Sequence, residues 1–358
     1  MAGRRALLSS LFLCSLAPGL PHAEEPTLRV GGLLQVQADL GDRGDTRWDN
    51  ANDRFLLRRA RLSVQGRFLE EFEFKLEADA AGTLSATSGL RLQLTDGYVD
   101  WKRSELASLR MGQFKTPFGY EQLHADPRLL TPERSLANDR LTLSRQLGLQ
   151  VGGEVLEGRL SYAAGLFNGT GANNNSNDDD QFVYVARLAG VLFQGTGRRL
   201  TLGGNGFTST DTAVALSSDF GFDSTPATPA ADNLFSGERV GTGVDVQWQM
   251  GRFEVWAEVL SVKFEPDDAL PAAELRAEGG YAQAGFFVLP KRLQAVLKYE
   301  TFDPSDQVDG DDLDTWSAGV NLSFKGDDLK LQAHYMRAEV PGTDEKDGKA
   351  IVRMQVVF

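Results

Sequence analysis

The chain has one cysteine in 358 residues, and that residue, Cys14, lies in an apolar N-terminal stretch. Downstream there is none, which excludes a disulfide framework, a thiolate metal site and a cysteine nucleophile. Histidine is nearly as scarce, with only His124 and His334 beyond residue 23. No Gly-x-Ser-x-Gly elbow, paired metal-ligand spacing or phosphate-binding loop occurs, so the sequence offers no catalytic constellation, no metal site and no cofactor site. Long apolar runs are missing too. No later stretch approaches the roughly 18 consecutive apolar residues that a spanning helix needs. A barrel, whose strands are half polar by construction, is not excluded. Basic residues are outnumbered, 37 Lys and Arg against 50 Asp and Glu, which opposes nucleic-acid binding through phosphate contacts.

What is present begins with an export signal over residues 1–23: Arg4 and Arg5, the apolar stretch Ala6 to Leu16, and a cleavage site at Pro21-His22-Ala23. The apolar run, about 11 residues, is too short for an anchor. Leu11-Phe12-Leu13 lacks the small residues that a lipoprotein site at Cys14 would favour. The mature chain then carries 35 basic and 50 acidic residues.

Alternation of period two recurs throughout. Phe72, Phe74, Leu76 and Ala78 interleave with Glu73, Lys75, Glu77 and Asp79, and Trp316, Ala318, Val320, Leu322 and Phe324 with Thr315, Ser317, Gly319, Asn321 and Ser323. Each such strand has one apolar and one wet face. About sixteen segments follow, near 28–39, 53–65, 71–80, 90–102, 108–116, 144–156, 159–167, 181–194, 199–208, 239–250, 252–264, 279–289, 292–302, 314–325, 329–339 and 349–358. Tight joints at Gly66-Arg67, Glu157-Gly158, Gly251-Arg252, Lys291-Arg292 and Gly326-Asp327-Asp328 interleave with long ones at 117–143, 209–237 and 265–278. The prolines beyond residue 26 all fall between the proposed strands, in loops or a turn, as a hydrogen-bonded ladder requires. An even strand count, short turns on one side and long loops on the other predict an all-β, transmembrane antiparallel barrel in the bacterial outer membrane, with short periplasmic turns and long extracellular loops. Phe358, ending the last alternating strand, is the kind of terminal aromatic that barrel-insertion machinery reads. A secreted β-sandwich is the competing fold.

Charge singles out one region. Residues 54–145 hold 15 basic and 12 acidic residues, a positive island in an acidic chain. Phasing of Phe55 to Val64 sends Ala60, Leu62 and Val64 to lipid and Arg59 and Arg61 to the lumen, where two guanidiniums offer fixed donors to an anion. Arg58 phases outward, toward the rim. Alternatively, Arg59 and Arg61 pair with Glu73 or Asp79 and brace the wall.

Further on stand Gly112-Gln113-Phe114-Lys115-Thr116-Pro117-Phe118-Gly119, Glu133-Arg134-Ser135 and Arg145-Gln146-Leu147-Gly148. With Phe55 to Arg61 and Asp96-Gly97-Tyr98-Val99-Asp100, these motifs make the chain resemble the phosphate-selective porin O and P family from Leu28 to Phe358. The resemblance implies a homotrimer of sixteen-stranded barrels with loop 117–143 folded inward as a constriction. It also implies an anion path carried by Arg59, Arg61, Lys115 and Arg134, with phosphate among the solutes. Asp96 matches an acidic position near that constriction, where it would aid release of the anion. Its plainer role is charge pairing with Lys115 or Arg110.

The chain departs from an anion ladder beyond residue 146, where it has 17 basic and 31 acidic residues. That leaves a general porin as the alternative. Asp178-Asp179-Asp180 and the aspartates between 303 and 312 read either as solvated loop tips or as sites bridging lipopolysaccharide through divalent cations. Two rivals remain: a barrel-anchored hydrolase using His334 with Ser323, and a plugged structural barrel.

Overall fold

Strong alternation in every segment dictates the architecture. The computed structural model describes residues 26–41, 53–81, 92–220, 222, 234–267, 273–339 and 346–358; the expected export signal lies outside them. The strands are β1 Thr27–Gly41, β2 Arg54–Phe68, β3 Phe72–Asp79, β4 Gln93–Ser104, β5 Ala107–Lys115, β6 Arg145–Val155, β7 Leu160–Phe167, β8 Val183–Gly195, β9 Arg198–Ala215, β10 Leu234–Met250, β11 Phe253–Pro266, β12 Leu275–Leu289, β13 Leu293–Asp303, β14 Leu313–Lys325, β15 Leu329–Glu339 and β16 Lys346–Val357.

Each strand pairs antiparallel with its sequence neighbours, and β1 pairs with β16, so the sheet closes into a sixteen-stranded barrel without an edge. The chain end completes the seam: Gly32 N–H donates to Phe358 O at 2.9 Å, and Phe358 N–H to Gly32 O at 3.2 Å. The burial pattern is inside out. Along β1, Gln35, Gln37 and Asp39 are 0%, 3% and 3% exposed, whereas Leu34 and Val36 are 38% and 40% exposed. Apolar side chains ring the outside and polar ones fill the lumen, the arrangement that a lipid exterior requires. The protein is a transmembrane β-barrel.

Three local features differ from the sequence-based expectation. Gly66 and Arg67 are ladder residues opposite Phe74 and Glu73, and the turn falls at Leu69 and Glu70, which adopt φ of 51° and 57°. Gly66 serves close packing instead, because a Cβ there would meet the Phe74 ring at 2.8 Å. The β9–β10 ribbon runs well past the expected ends because Arg239 donates to both Asp211 carboxylate oxygens, at 2.5 and 2.7 Å, and that buried pair sustains the ladder through a polar segment. Pro266 stands at the end of β11, opposite Gly237.

Candidate functional site

The connection from β5 to β6 turns into the lumen and holds two short helices, α1 Tyr120–Leu123 and α2 Leu136–Leu141. Its backbone requires glycine at one point. Gly119 has φ 82°, and a Cβ would meet Thr142 Cγ2 at 2.6 Å, so the Pro117-Phe118-Gly119 stretch fixes where the chain leaves the wall. Ser135 caps α2, its side chain accepting from Asn138 N–H at 3.2 Å.

The loop packs against the far wall. Phe118 meets Phe207 edge to face, with centroids 4.8 Å apart. Leu136, Ala137 and Leu141 join a buried cluster with Leu260, Val262, Phe264, Ala277 and Phe302, and Leu130 packs with Trp256, Tyr281 and Val296. Polar fixings complete the attachment. Asn321 donates to Leu130 O at 2.8 Å, Lys330 to Pro127 O at 2.7 Å, and Arg353 to Pro132 O. Lys298, 1% exposed, lies 3.1 Å from both Glu121 and Glu300.

On the near side the expected cations converge on one loop carboxylate. Asp126 receives Arg59 at 3.1 Å, Arg61 at 2.5 Å and Arg134 at 2.7 Å. Arg61 also holds Asp79 at 2.8 Å. Lys115 donates to the carbonyls of Gln122 and His124, at 2.6 and 3.0 Å, pinning α1. Arg59, Arg61, Lys115 and Arg134 thus fasten the loop. Of the two expected bracing partners, Asp79 is used, and Glu73 pairs instead with Arg67 and Lys102.

Two expected placements are corrected. Arg58 faces the lumen, not the rim, because a β-bulge shifts the β1–β2 register between Gln35 and Val36 and leaves Arg58 as the extra residue. It binds both oxygens of Glu133 at 2.8 Å. Asp96 pairs with Lys75 and Arg145, each at 2.7 Å, and Arg110 pairs with Asp100 instead. The other expected pair does not form either: Ser323 lies opposite Lys330, and His334 lies opposite Gly319 with Nε2 3.0 Å from Asn321 Oδ1.

Sequence reasoning missed Asp126, Glu133, Glu121 and the distant cations Lys298 and Arg353 that meet the loop. Alternation marks Lys298 and Arg353 as lumen-facing. Their partners lie 177 and 220 residues away, a separation that no local pattern encodes.

These charges respond to pH in two windows. Burial opposes ionisation of Asp126, yet Arg59, Arg134, Arg61 and Lys115 outweigh it and hold the carboxyl well below the usual range. Burial likewise opposes Glu133, and Arg353 and Arg58 hold it low. For both, stabilisation of the docked loop is complete above about pH 4 and is lost as pH falls through the depressed values. For His124, burial and the nearby Arg128, Lys115 and Arg134 push the imidazole down from 6.5 to about 4. Between those values a released loop binds a proton that the docked loop refuses, so acid favours release by at most about 3 kcal/mol. Single-channel gating noise should therefore rise in two steps on acidification. His124→Gln should remove the upper one, and a wild-type record with a single step below pH 4 would refute the assignment.

A model of the family described as phosphate-selective porin O and P matches residues 30–358. Porin O of Pseudomonas aeruginosa is 23% identical over 353 residues, covering 91% of this chain and 78% of that protein. Among solved structures, in-vitro folded OmpT of Vibrio cholerae, an outer membrane protein in trimer form, superposes with a TM-score of 0.65 at 11% identity, covering 94% of this chain and all of that one. The outer membrane channel DcaP of Acinetobacter baumannii gives 0.62 at 13% identity, over 93% of this chain and 97% of the other.

Proposed function

This chain belongs to the phosphate-selective porin O and P family, and we propose that its lumen prefers anions, inorganic phosphate among them. It is a porin of the bacterial outer membrane, a passive diffusion pathway through a polar lumen. The convergence of Arg59, Arg61, Lys115 and Arg134 around Asp126 carries the anion reading. With the neighbouring Lys75–Glu77 and Arg145–Asp96 pairs, five ion-paired cations, Arg59, Arg61, Arg134, Lys75 and Arg145, face four carboxylates, Asp126, Asp79, Glu77 and Asp96. The surplus sits where the loop crosses the lumen, and in a narrow low-dielectric passage an uncompensated charge focuses potential on passing ions. The four cations are fastened to the loop, so they act on solute through this field more than by direct contact. Loop 117–143 is the constriction.

The barrel assembles as a homotrimer, a reading supported by the trimeric OmpT form. The contacts of the two histidines in the described barrel support a channel over a hydrolase: His124 packs tilted against Trp256, ring centroids 4.4 Å apart, and His334 meets the Asn321 amide. Among the described residues no cluster of acidic, histidine or cysteine side chains suits a metal ion, and lipopolysaccharide bridging by the acidic loops has no built site to support it.

The test is the reversal potential across a chloride gradient in planar bilayers. Changing Arg59, Arg61, Lys115 and Arg134 to Gln, with Asp126→Asn so that no carboxylate is stranded, should move the potential toward cation preference. Phosphate block of the wild-type current should weaken in parallel. A folded quintuple variant with an unmoved potential would sink the assignment.

A further inference from the structure

Below the loop, on the short-turn side of the barrel, lies a cavity of about 740 Å³, lined in part by the anchoring residues Leu130, Trp256 and Lys330. Its wall breaks the barrel's own rule. Phe287 lies opposite Gln294, a lumen residue, so it too points inward, where neighbouring strands present Gln247, Gln249 and Ser323 to the same space. Its neighbour Phe286 faces lipid and packs against Phe253 at 4.5 Å, whereas Phe287 is half-buried with no ring partner among the described residues. A large apolar ring turned into a wet lumen gains nothing for folding, which makes it available to a ligand. His124 and Tyr120 line the same cavity, and His124, held neutral at physiological pH, presents a flat ring and no charge.

The cavity's charges complete the picture. Arg187 is occupied by Asp245 at 2.5 Å and Lys330 by Asp327 at 3.1 Å. Arg128 and Arg199 are exposed, line the cavity and carry no ion pair among the described residues. Against these two guanidiniums stands one carboxylate without a cation, Glu254, which accepts a hydrogen bond from Gln294. Two guanidiniums without a carboxylate partner suit a carboxylate or phosphate ester, and a ring without a ring partner beside them suits a flat apolar body.

We infer that this vestibule is a binding site for organic anions bearing an aromatic ring, with Arg128 and Arg199 taking the anionic group and Phe287 the ring. The inference rests on the anion-preferring reading above and narrows it: the solutes include aromatic carboxylates as well as small inorganic anions. Bound at the short-turn mouth, such a solute dwells just past the constriction before release to the periplasm.

Calorimetry on the mature folded protein in detergent, titrated with benzoate and with acetate, tests this without needing an open pore. The two probes share a carboxylate and differ by the ring. Benzoate should bind at least about tenfold more tightly, as a stacked ring worth about 1.4 kcal/mol implies. Phe287→Ser should reduce benzoate to the acetate level, and Arg128→Gln with Arg199→Gln should weaken both. In bilayers the wild type needs no substitution: benzoate should block more strongly from the short-turn side than from the long-loop side. Equal binding of the two acids, an unaffected Phe287→Ser or a symmetric block would overturn the site. Loss of anion preference with benzoate binding intact would instead overturn the general reading and leave this one standing.

Discussion

Replacing Lys298 with methionine is expected to release α1 from the far wall. The ammonium is 1% exposed and is shared by Glu121 and Glu300, 0% and 2% exposed. Glu258, also 2% exposed, accepts the N–H groups of Tyr120 and Glu121 beside it. Methionine fills similar volume but removes the cation from two carboxylates, Glu121 and Glu300, in a site closed to water. Breaking a buried pair by removing one partner costs about 3–5 kcal/mol, a penalty that falls on the contact between α1 and the far wall. The closed ladder does not depend on this contact, so heat-modifiable migration on a gel should stay near wild type. Trypsin should meanwhile cut the folded variant after Arg134, a residue buried in the docked loop. Lys298→Met with Glu121→Gln should recover part of the protection, since the two changes act on one network. A Lys298→Met barrel as resistant as the wild type would show that apolar packing alone holds the loop.

Asp126→Asn is expected to have an effect of similar size with the opposite remedy. The carboxylate neutralises Arg59, Arg61 and Arg134 at 2.5–3.1 Å, and an amide leaves three guanidiniums facing one another. Their repulsion costs about 3–5 kcal/mol and loosens the near side of the loop. The vacated position is ready for an anion. Phosphate offers charge-assisted acceptors to the same donors, and at about 100 times its Kd it returns about 2.7 kcal/mol. Phosphate should therefore slow trypsin cleavage of the variant far more than that of the wild type, where Asp126 already occupies the donors. Anion preference should rise at the same time. If phosphate protected both proteins equally, Asp126 would not be the neutralising centre of the cluster.

Both outcomes depend on side chains that meet across the lumen, which marks the limit of what the sequence shows. Sixteen strands, the sidedness of turns and loops, and inward phasing of Arg59, Arg61, Lys298, Lys330 and Arg353 are legible because period-two alternation is local, and a lipid exterior forces it on every strand. The motif around Gly112 to Gly119 likewise marks where the chain leaves the wall. Arg58 escaped because one bulge residue inverts the phase, and nothing in Leu57-Arg58-Arg59 distinguishes an extra residue from a regular one. The β9–β10 extension escaped because Asp211 and Arg239 look like loop polarity until they face each other. The sequence by itself therefore determined the barrel, its membrane and its orientation. Only the closed tertiary structure decided that Asp126, Glu133 and Glu121 meet cations up to 220 residues away. A cylinder brings the first and last strands into contact, and the loop across its bore touches walls that are remote along the chain.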